Sequence, residues 1–158
     1  MEAIAGIYLT FTIGKEFYGI PVLKVKDIIG MVEITEVPRT PEFIKGVINL
    51  RGKIIPIMDL RLKFELEEIP YTERTVIIVL EIQVKDEKRL MAVVVDTVSE
   101  VINISENNIE PPPQYGVSIE SDFIMGMAKV KEKVAMLLNI EKVLNAQELA
   151  DLAELKEE

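Results

Sequence analysis

The chain has 158 residues, 49% of them hydrophobic, so it is long enough for one ordinary domain or two very small ones with a real core. Lysine and arginine number 18 against 27 acidic residues, and the resulting net charge of −9 argues against non-specific binding to nucleic acid or to an anionic membrane surface. Cysteine and histidine are both absent. Disulfides, thiolate metal sites, the usual general base and the commonest metal ligand are therefore excluded.

No segment has the pattern of a signal peptide or a membrane span. The first residues lack a basic start followed by a long apolar stretch. The apolar runs Val76–Leu80 and Leu90–Val95 are far too short to cross a bilayer. We therefore expect a cytoplasmic protein that needs no cofactor and does not insert directly into a membrane.

Short strands account for most of the sequence pattern. Residues Ile7–Ile13 alternate between apolar and polar, which is the period of a half-buried strand. By contrast, Val76–Leu80, Leu90–Val95 and Val134–Leu138 are almost uniformly apolar, and such strands need cover on both faces. One small barrel covers only its inside, so a second apolar layer is predicted outside it. The residues predicted to be largely buried are Val76, Ile78, Val79, Val93, Val95, Val134, Leu137 and Leu138.

An internal repeat supplies that second layer. Residues 43–60 align with residues 123–140 at a constant offset of 80, with a shared glycine and a shared aromatic three residues before it. Upstream, residues 22–28 align with residues 95–101 at an offset of 73. Two β segments can resemble each other by coincidence, but the fixed offset favours a duplication. The sequence therefore predicts two similar small barrels whose apolar strands pack against each other.

The predicted fold class is all-β, with two barrels side by side and a short helix closing each unit. The first barrel is expected within residues 1–70 and the second within residues 71–144. The first strand can equally complete the second barrel, and the sequence leaves that choice open. Asn145 and Glu148 have the spacing of a capping box before an amphipathic acidic stretch. Residues 145–158 are therefore predicted to form a C-terminal helix.

Asp59 and Asp96 are the candidates for catalytic chemistry. Two carboxylates can act as an acid–base pair, as in glycosidases. Each of these residues, however, borders an apolar strand at a point where a turn or a helix cap is due. The structural interpretation is favoured, so the chain is not expected to be an enzyme, and a small acid–base hydrolase using Asp59 or Asp96 is the alternative.

The two copies differ at one hairpin. Copy one has Asn49-Leu50-Arg51-Gly52, where Asn and Gly suit a tight turn with positive φ, whereas copy two has the sequence Lys-Val-Lys-Glu. Arg51 is not needed for the turn. A guanidinium on a rigid hairpin offers five fixed donors to the carboxylates and carbonyls of a partner. A solvated turn arginine is the alternative interpretation.

Residues Val22–Met31 are the second distinctive segment. Val25, Ile28 and Ile29 cannot all face one side of a strand, and charged residues separate them. An edge strand with exposed apolar residues rimmed by charge is suited to binding another protein. An ordinary amphipathic strand is the alternative.

Three stretches carry a family resemblance: Phe17–Ile28, Pro41–Arg61 and Val93–Val101. They resemble the CheW family, and Pro41–Arg61 matches its most characteristic stretch nearly in full. The similarity extends from about Tyr8 to Leu144. It implies two five-stranded SH3-like barrels in a non-catalytic chemotaxis adaptor that couples transmembrane chemoreceptors to the CheA histidine kinase.

The resemblance also implies which residues contact each partner. The regulatory domain of CheA is expected on the first barrel, at Val25, Asp27 and Ile28. The helical cytoplasmic tip of the chemoreceptors is expected near the cleft between the barrels. The matching positions there are Lys45, Gly46, Asn49, Arg51, Gly52, Val76, Met91 and Ala92. Asp27 is shorter than the usual glutamate, and Met91-Ala92 departs from the small pair often found there.

The same fold also occurs in CheA itself and in the front half of CheV. CheA needs a phosphorylatable histidine, which this sequence lacks, and CheV needs a receiver domain, for which the chain ends too early. The resemblance therefore implies a stand-alone adaptor that reaches membrane receptor arrays through its partners. Association with other CheW copies in rings stays open.

Overall fold

The structure, a computed structural model, describes residues 5–84, 86–111 and 123–143. Strands dominate it, which confirms the predicted all-β class. The strands are β1 (Gly6–Ile13), β2 (Glu16–Pro21), β3 (Val25–Gly30), β4 (Ile44–Leu50), β5 (Lys53–Asp59), β6 (Val76–Val84), β7 (Glu87–Val95), β8 (Thr97–Ile104), β9 (Ile109–Glu110), β10 (Ile124–Val130) and β11 (Lys133–Leu138). One short helix, α1 (Leu60–Lys63), follows β5, and 3-10 turns lie at Val22–Lys24, Glu106–Asn108 and Ile140–Lys142.

The strands form two sheets, one of five strands and one of six. The first has the order β3-β6-β7-β5-β4, and Thr35, shortly beyond β3, bridges to Val47 of β4 at the opposite edge. The second has the order β8-β1-β2-β11-β10-β9, and its two outer strands follow one another in the chain. We call the first barrel 1 and the second barrel 2. Barrel 2 has a sixth strand, the two-residue β9, where barrel 1 has only the Thr35 bridge.

The predicted repeat is confirmed by the strand pairing. Strands β4 and β5 form the same antiparallel hairpin as β10 and β11, with residues related by the offset of 80. Each hairpin has a register shift just before the shared glycine, between Ile44 and Gly46 in one copy and between Ile124 and Gly126 in the other. The duplication is therefore structural as well as sequential.

The parallel pairs show that the two copies exchange strands. Ile57 of β5 lies beside Ala92 of β7, and its counterpart Leu137 of β11 lies beside Gly19 of β2. Strands β1 and β2 therefore occupy in barrel 2 the places that β6 and β7 occupy in barrel 1. Each copy of the repeat contributes its first two strands to the barrel of the other copy.

The exchange corrects the expected domain boundaries of 1–70 and 71–144. Barrel 1 is built within residues 25–95, whereas barrel 2 combines residues 6–21 with residues 97–138. The open question about the first strand is answered in favour of barrel 2, and β2 accompanies it. Both copies carry the same pattern of strands. The pattern therefore fits a barrel built from one copy as well as a barrel that takes two strands from the other copy. The predicted helix at 145–158 lies outside the described residues.

Each apolar strand divides its side chains between two cores. In β6, Ile77 and Val79 pack inside barrel 1, whereas Ile78 and Leu80 join a layer shared by both barrels. The largest members of that layer are fully buried, among them Phe11, Met58 and Leu60. The interior of barrel 2 is a third cluster, formed by Tyr8, Ile104, Ala128, Ala135 and Leu137.

Most of the predicted core is confirmed. Six of the eight residues are buried, and Val76 is half-buried against the shared layer. The prediction for Val134 was wrong, because its side chain is 54% exposed. The pairing of β11 with β2 begins only at Ala135, so nothing covers the residue before it. Its counterpart in barrel 1, Ile54, is likewise exposed.

Replacing Ile78 or Leu137 by alanine is expected to lower the free energy of unfolding by about 2–4 kcal/mol, because each change leaves a cavity in a closed core. Val134→Ala is the matched control and should cost less than about 0.5 kcal/mol, as surface substitutions usually do. The chain has no tryptophan, so urea unfolding is followed by far-ultraviolet circular dichroism. Equal losses at Leu137 and Val134 would contradict the assignment of the core.

Candidate functional site

The tip of the β4–β5 hairpin has a fixed backbone. The Gly52 amide donates to the side-chain oxygen of Asn49 at 3.0 Å, which closes the turn. Arg51 and Gly52 both have positive φ, at 53° and 88°. The expected positive-φ turn is present, although one of the two residues is the arginine rather than Asn49. A non-glycine residue in this region is uncommon.

Arg51 closes the same end of barrel 1. Its Nη2 atom lies 3.0 Å from Oδ2 of Asp27 on β3. The other carboxylate oxygen of Asp27 accepts a hydrogen bond from the Ile28 amide at 2.9 Å. The Arg51 side chain nevertheless stays 75% exposed, so part of its donor set faces solvent. One ion pair thus joins a residue predicted to bind the kinase to a residue predicted to bind the receptor.

Strand β3 is the edge of its sheet, as expected for a docking strand. Its three predicted contact residues differ in access. Ile28 is 44% exposed, Asp27 is half-buried under Arg51, and Val25 packs against the shared core layer. Ile28 is therefore the apolar residue of this set that is open to a partner.

The other accessible receptor positions lie at the far end of β4. Lys45 pairs with Glu68 at 2.9 Å and lies above the ring of Tyr71. Lys45 and Arg51 are separated by roughly 20 Å of strand, at about 3.3 Å per residue. Val76, at the start of β6, is half-buried. The predicted receptor set is therefore divided between two ends of barrel 1 rather than gathered in one patch.

Three of the predicted receptor residues lie in the interior. Met91 and Ala92 are buried in the shared layer and in barrel 1 respectively, so neither reaches a docked partner in this fold. Gly46 is also buried, and its role is structural. It has a φ of 138°, and a Cβ atom there would collide with the carbonyl oxygen of Thr35. The corrected expectation is that these three residues support the surface from beneath.

Barrel 2 carries a counterpart of the ion-paired edge. Lys131, the counterpart of Arg51, also has positive φ, and its Nζ atom lies 3.5 Å from Oε2 of Glu100 on β8. Val101 is the counterpart of Ile28 and is 54% exposed. The sequence comparison found the two hairpins but missed both ion pairs. A signal for these ion pairs was available in the sequence. The offset of 73 matches Asp27 with Glu100, and the hairpin offset of 80 matches Arg51 with Lys131, so each copy has one acid and one base at equivalent positions.

The two aspartates considered for catalysis have structural partners. Asp59 is 2% exposed, caps α1 by accepting from the Arg61 and Leu62 amides, and accepts from the Tyr71 hydroxyl at 2.6 Å. Burial, together with the bond to Asp59, raises the pKa of Tyr71. Asp96 accepts from the Gly14 amide and pairs with Arg61, at 2.8 and 2.9 Å. Both carboxylates therefore hold barrel connections together.

Comparison with known proteins agrees with this geometry. Residues 8–148 match the family described as CheW-like domain. The chemotaxis protein CheW of Klebsiella aerogenes is 41% identical over 149 residues, which cover 94% of this chain and 87% of that one. The CheW of Treponema pallidum is 31% identical over 93% of this chain and 86% of its own. The crystal structure of the scaffolding protein TtCheW from Thermoanaerobacter tengcongensis has a TM-score of 0.79 at 37% identity, covering 92% and 97% of the two chains.

The relatives are named as chemotaxis and scaffolding proteins, which is a class of scaffolds rather than of enzymes. The chain belongs to the CheW-like family. Within the described ranges, no helix is long and apolar enough to cross a membrane. The same ranges contain no group of three or more acidic, histidine or cysteine side chains placed to hold a metal ion.

Gly46→Ala is expected to lower the free energy of unfolding by at least about 2 kcal/mol, because the residue must leave a backbone region that favours glycine and clear the Thr35 carbonyl. Gly30→Ala is the matched control, since a Cβ atom there meets nothing within 4 Å. Urea unfolding of both variants is the measurement. A stable Gly46→Ala protein with impaired partner binding would instead make Gly46 a contact residue.

Proposed function

We propose that this protein couples chemoreceptors to the CheA histidine kinase, and that it reaches the membrane array through those partners. The observation that carries the proposal is the open edge of β3, where exposed Ile28 lies beside the Asp27–Arg51 ion pair. An edge strand with an apolar centre and a charged rim is suited to pairing with another barrel. Membership of the CheW-like family supports this use of the edge.

The kinase-facing surface is proposed at Ile28 and Asp27. The Asp27 carboxylate is already oriented by the Ile28 amide and by Arg51, so little side-chain freedom is lost when a partner docks. Val25 contributes from beneath, through its contact with the shared layer. Regulatory domains of CheA are proposed to dock here end to end, barrel against barrel.

The receptor-facing surface is proposed around the hairpin tip, with Arg51 as its main donor and Asn49 and Gly52 beside it. Arg51 uses one nitrogen for Asp27 and keeps further N–H groups for the carboxylates or carbonyls of a helical tip. Lys45 would meet the same partner only if that partner extends along the length of β4. Because Asp27 and Arg51 touch, the kinase and receptor surfaces share one ion pair.

Ring contacts with further copies of the protein are proposed on barrel 2. Val101, Glu100 and Lys131 repeat the arrangement of Ile28, Asp27 and Arg51. A chain with one such edge on each barrel has two docking ends, and units with two ends assemble into closed rings or chains.

Ile28→Asp is expected to weaken binding of the kinase regulatory domain at least about tenfold, because docking would bury an unpaired carboxylate beside Asp27. The residue is exposed, so the melting temperature should hardly change. Val101→Asp is the matched control at the equivalent site of barrel 2. Titration calorimetry with the isolated kinase domain gives the affinities, and equal losses for both variants would move the kinase surface away from β3.

Arg51→Glu is expected to weaken receptor binding by about 1.5–3 kcal/mol, the scale of a lost charge-assisted hydrogen bond. The exposed ion pair contributes at most about 1 kcal/mol to stability, so the fold should survive. The new carboxylate faces Asp27, so some loss of kinase binding is expected as well.

Lys131→Glu, which faces Glu100 in the same way, is the control for the Arg51 variant. Co-sedimentation with receptor-containing membranes in the absence of kinase measures the affinity for the receptor alone. If both variants co-sediment equally, Arg51 has no special role in receptor binding. Unfolding of Arg51→Glu would make the arginine structural.

A further inference from the structure

A groove opens at one end of barrel 1, between β5 and β7. These strands pair in parallel only from Ile57 to Asp59, and upstream of that point they separate. The opening has a volume of about 680 Å³ and is lined by residues Gly52–Ile55, residues Lys88–Leu90, Lys26 of β3 and Glu81 of β6. Ile54 is 41% exposed, and Ile55 is buried beneath it.

The charge of this groove is opposite to that of the whole chain. Four of its lining side chains are cationic and one is acidic, whereas the chain carries −9. Lys26 pairs with Glu81 at 3.5 Å, and Arg89 pairs with Glu87 at 2.8 Å. Lys53 and Lys88 are exposed and have no ion-pair partner within the described part of the chain. Two surplus cations therefore face the opening from opposite walls.

The equivalent lysine of barrel 2 has an aromatic partner. The counterpart of Leu90 at the offset of 73 is Phe17, and the counterpart of Lys53 is Lys133. The Nζ atom of Lys133 lies 4.5 Å from the centre of the Phe17 ring. The two barrels therefore differ at this place, because the cation of barrel 2 lies against a ring whereas Lys53 faces the groove.

We infer that the groove binds an acidic segment of a partner protein. Carboxylates of that segment would meet Lys53 and Lys88, and an apolar side chain would cover Ile54. Charge complementarity selects the occupant, since the acidic remainder of the chain repels polyanions larger than the groove. Neither the kinase nor the receptor needs to be that partner.

The test measures binding of a short fluorescein-labelled peptide of Glu, Leu and Ala to the full chain by fluorescence anisotropy. Saturable binding is expected, and Lys53→Glu and Lys88→Glu should each weaken it at least about fivefold. Lys133→Glu, at the equivalent position of barrel 2, should leave it unchanged. Binding should also fall steeply towards about 1 M salt, where the Debye length is about 3 Å.

Three outcomes would overturn the inference. One is the absence of saturable binding, and another is an equal effect of Lys133→Glu. The third concerns the acidic side chains near the end of the sequence, Glu148, Asp151, Glu154, Glu157 and Glu158. If converting them to amides in the full chain tightens peptide binding about tenfold, the groove is matched to a segment of its own chain rather than to a partner. The assay contains neither kinase nor receptor, so its result is independent of the proposed function.

Discussion

The parallel contacts between β5 and β7 and between β11 and β2 are the constraint on which the rest of the structure depends. Each contact joins a strand of one repeat copy to a strand of the other. Parallel strands need long crossover connections, and here the whole of the intervening chain serves as the connection. Neither barrel can close without strands from both copies, so the two barrels form one folding unit.

The layer between the barrels follows from this exchange. Strands shared between the copies lie where the barrels meet, and their side chains point alternately into a barrel and into the shared layer. Four aromatic rings run through it in a stacked series, Phe11, Tyr18, Phe64 and Phe123, with centroid separations of 5.8, 5.5 and 5.2 Å. Such offset pairs add specific orientation to the burial of apolar area. The layer fixes how the edge strands β3 and β8 are oriented relative to each other.

Features that depend on nearby residues were predictable from the sequence, whereas the pairing of strands distant in the chain was not. The hairpin equivalences and the capping role of Asp59 depend on neighbours in the chain, so the sequence indicated them. The exchange of strands depends on whether β5 pairs with the strand of its own copy, β2, or with the equivalent strand of the other copy, β7. Both strands have the same sequence pattern, so the pattern does not distinguish the two pairings. The Asp27–Arg51 ion pair was not predicted for a related reason, because the two residues meet only in the folded barrel. Val134 was placed in the core because its strand is apolar, but it lies at the hairpin end of β11, where its side chain is exposed.

The late pairing of the first hairpin has a consequence for synthesis on the ribosome. Strands β1 and β2 emerge well before their partners β8 and β11, which lie much later in the chain. At translation rates of about 5–20 residues per second, the hairpin waits on the order of 10 s for β11. An isolated two-stranded hairpin is marginally stable in water, and its free edges are open to any matching strand. On a crowded polysome that matching strand is also present on neighbouring nascent chains, and the same exchange between two chains would give an interlocked dimer.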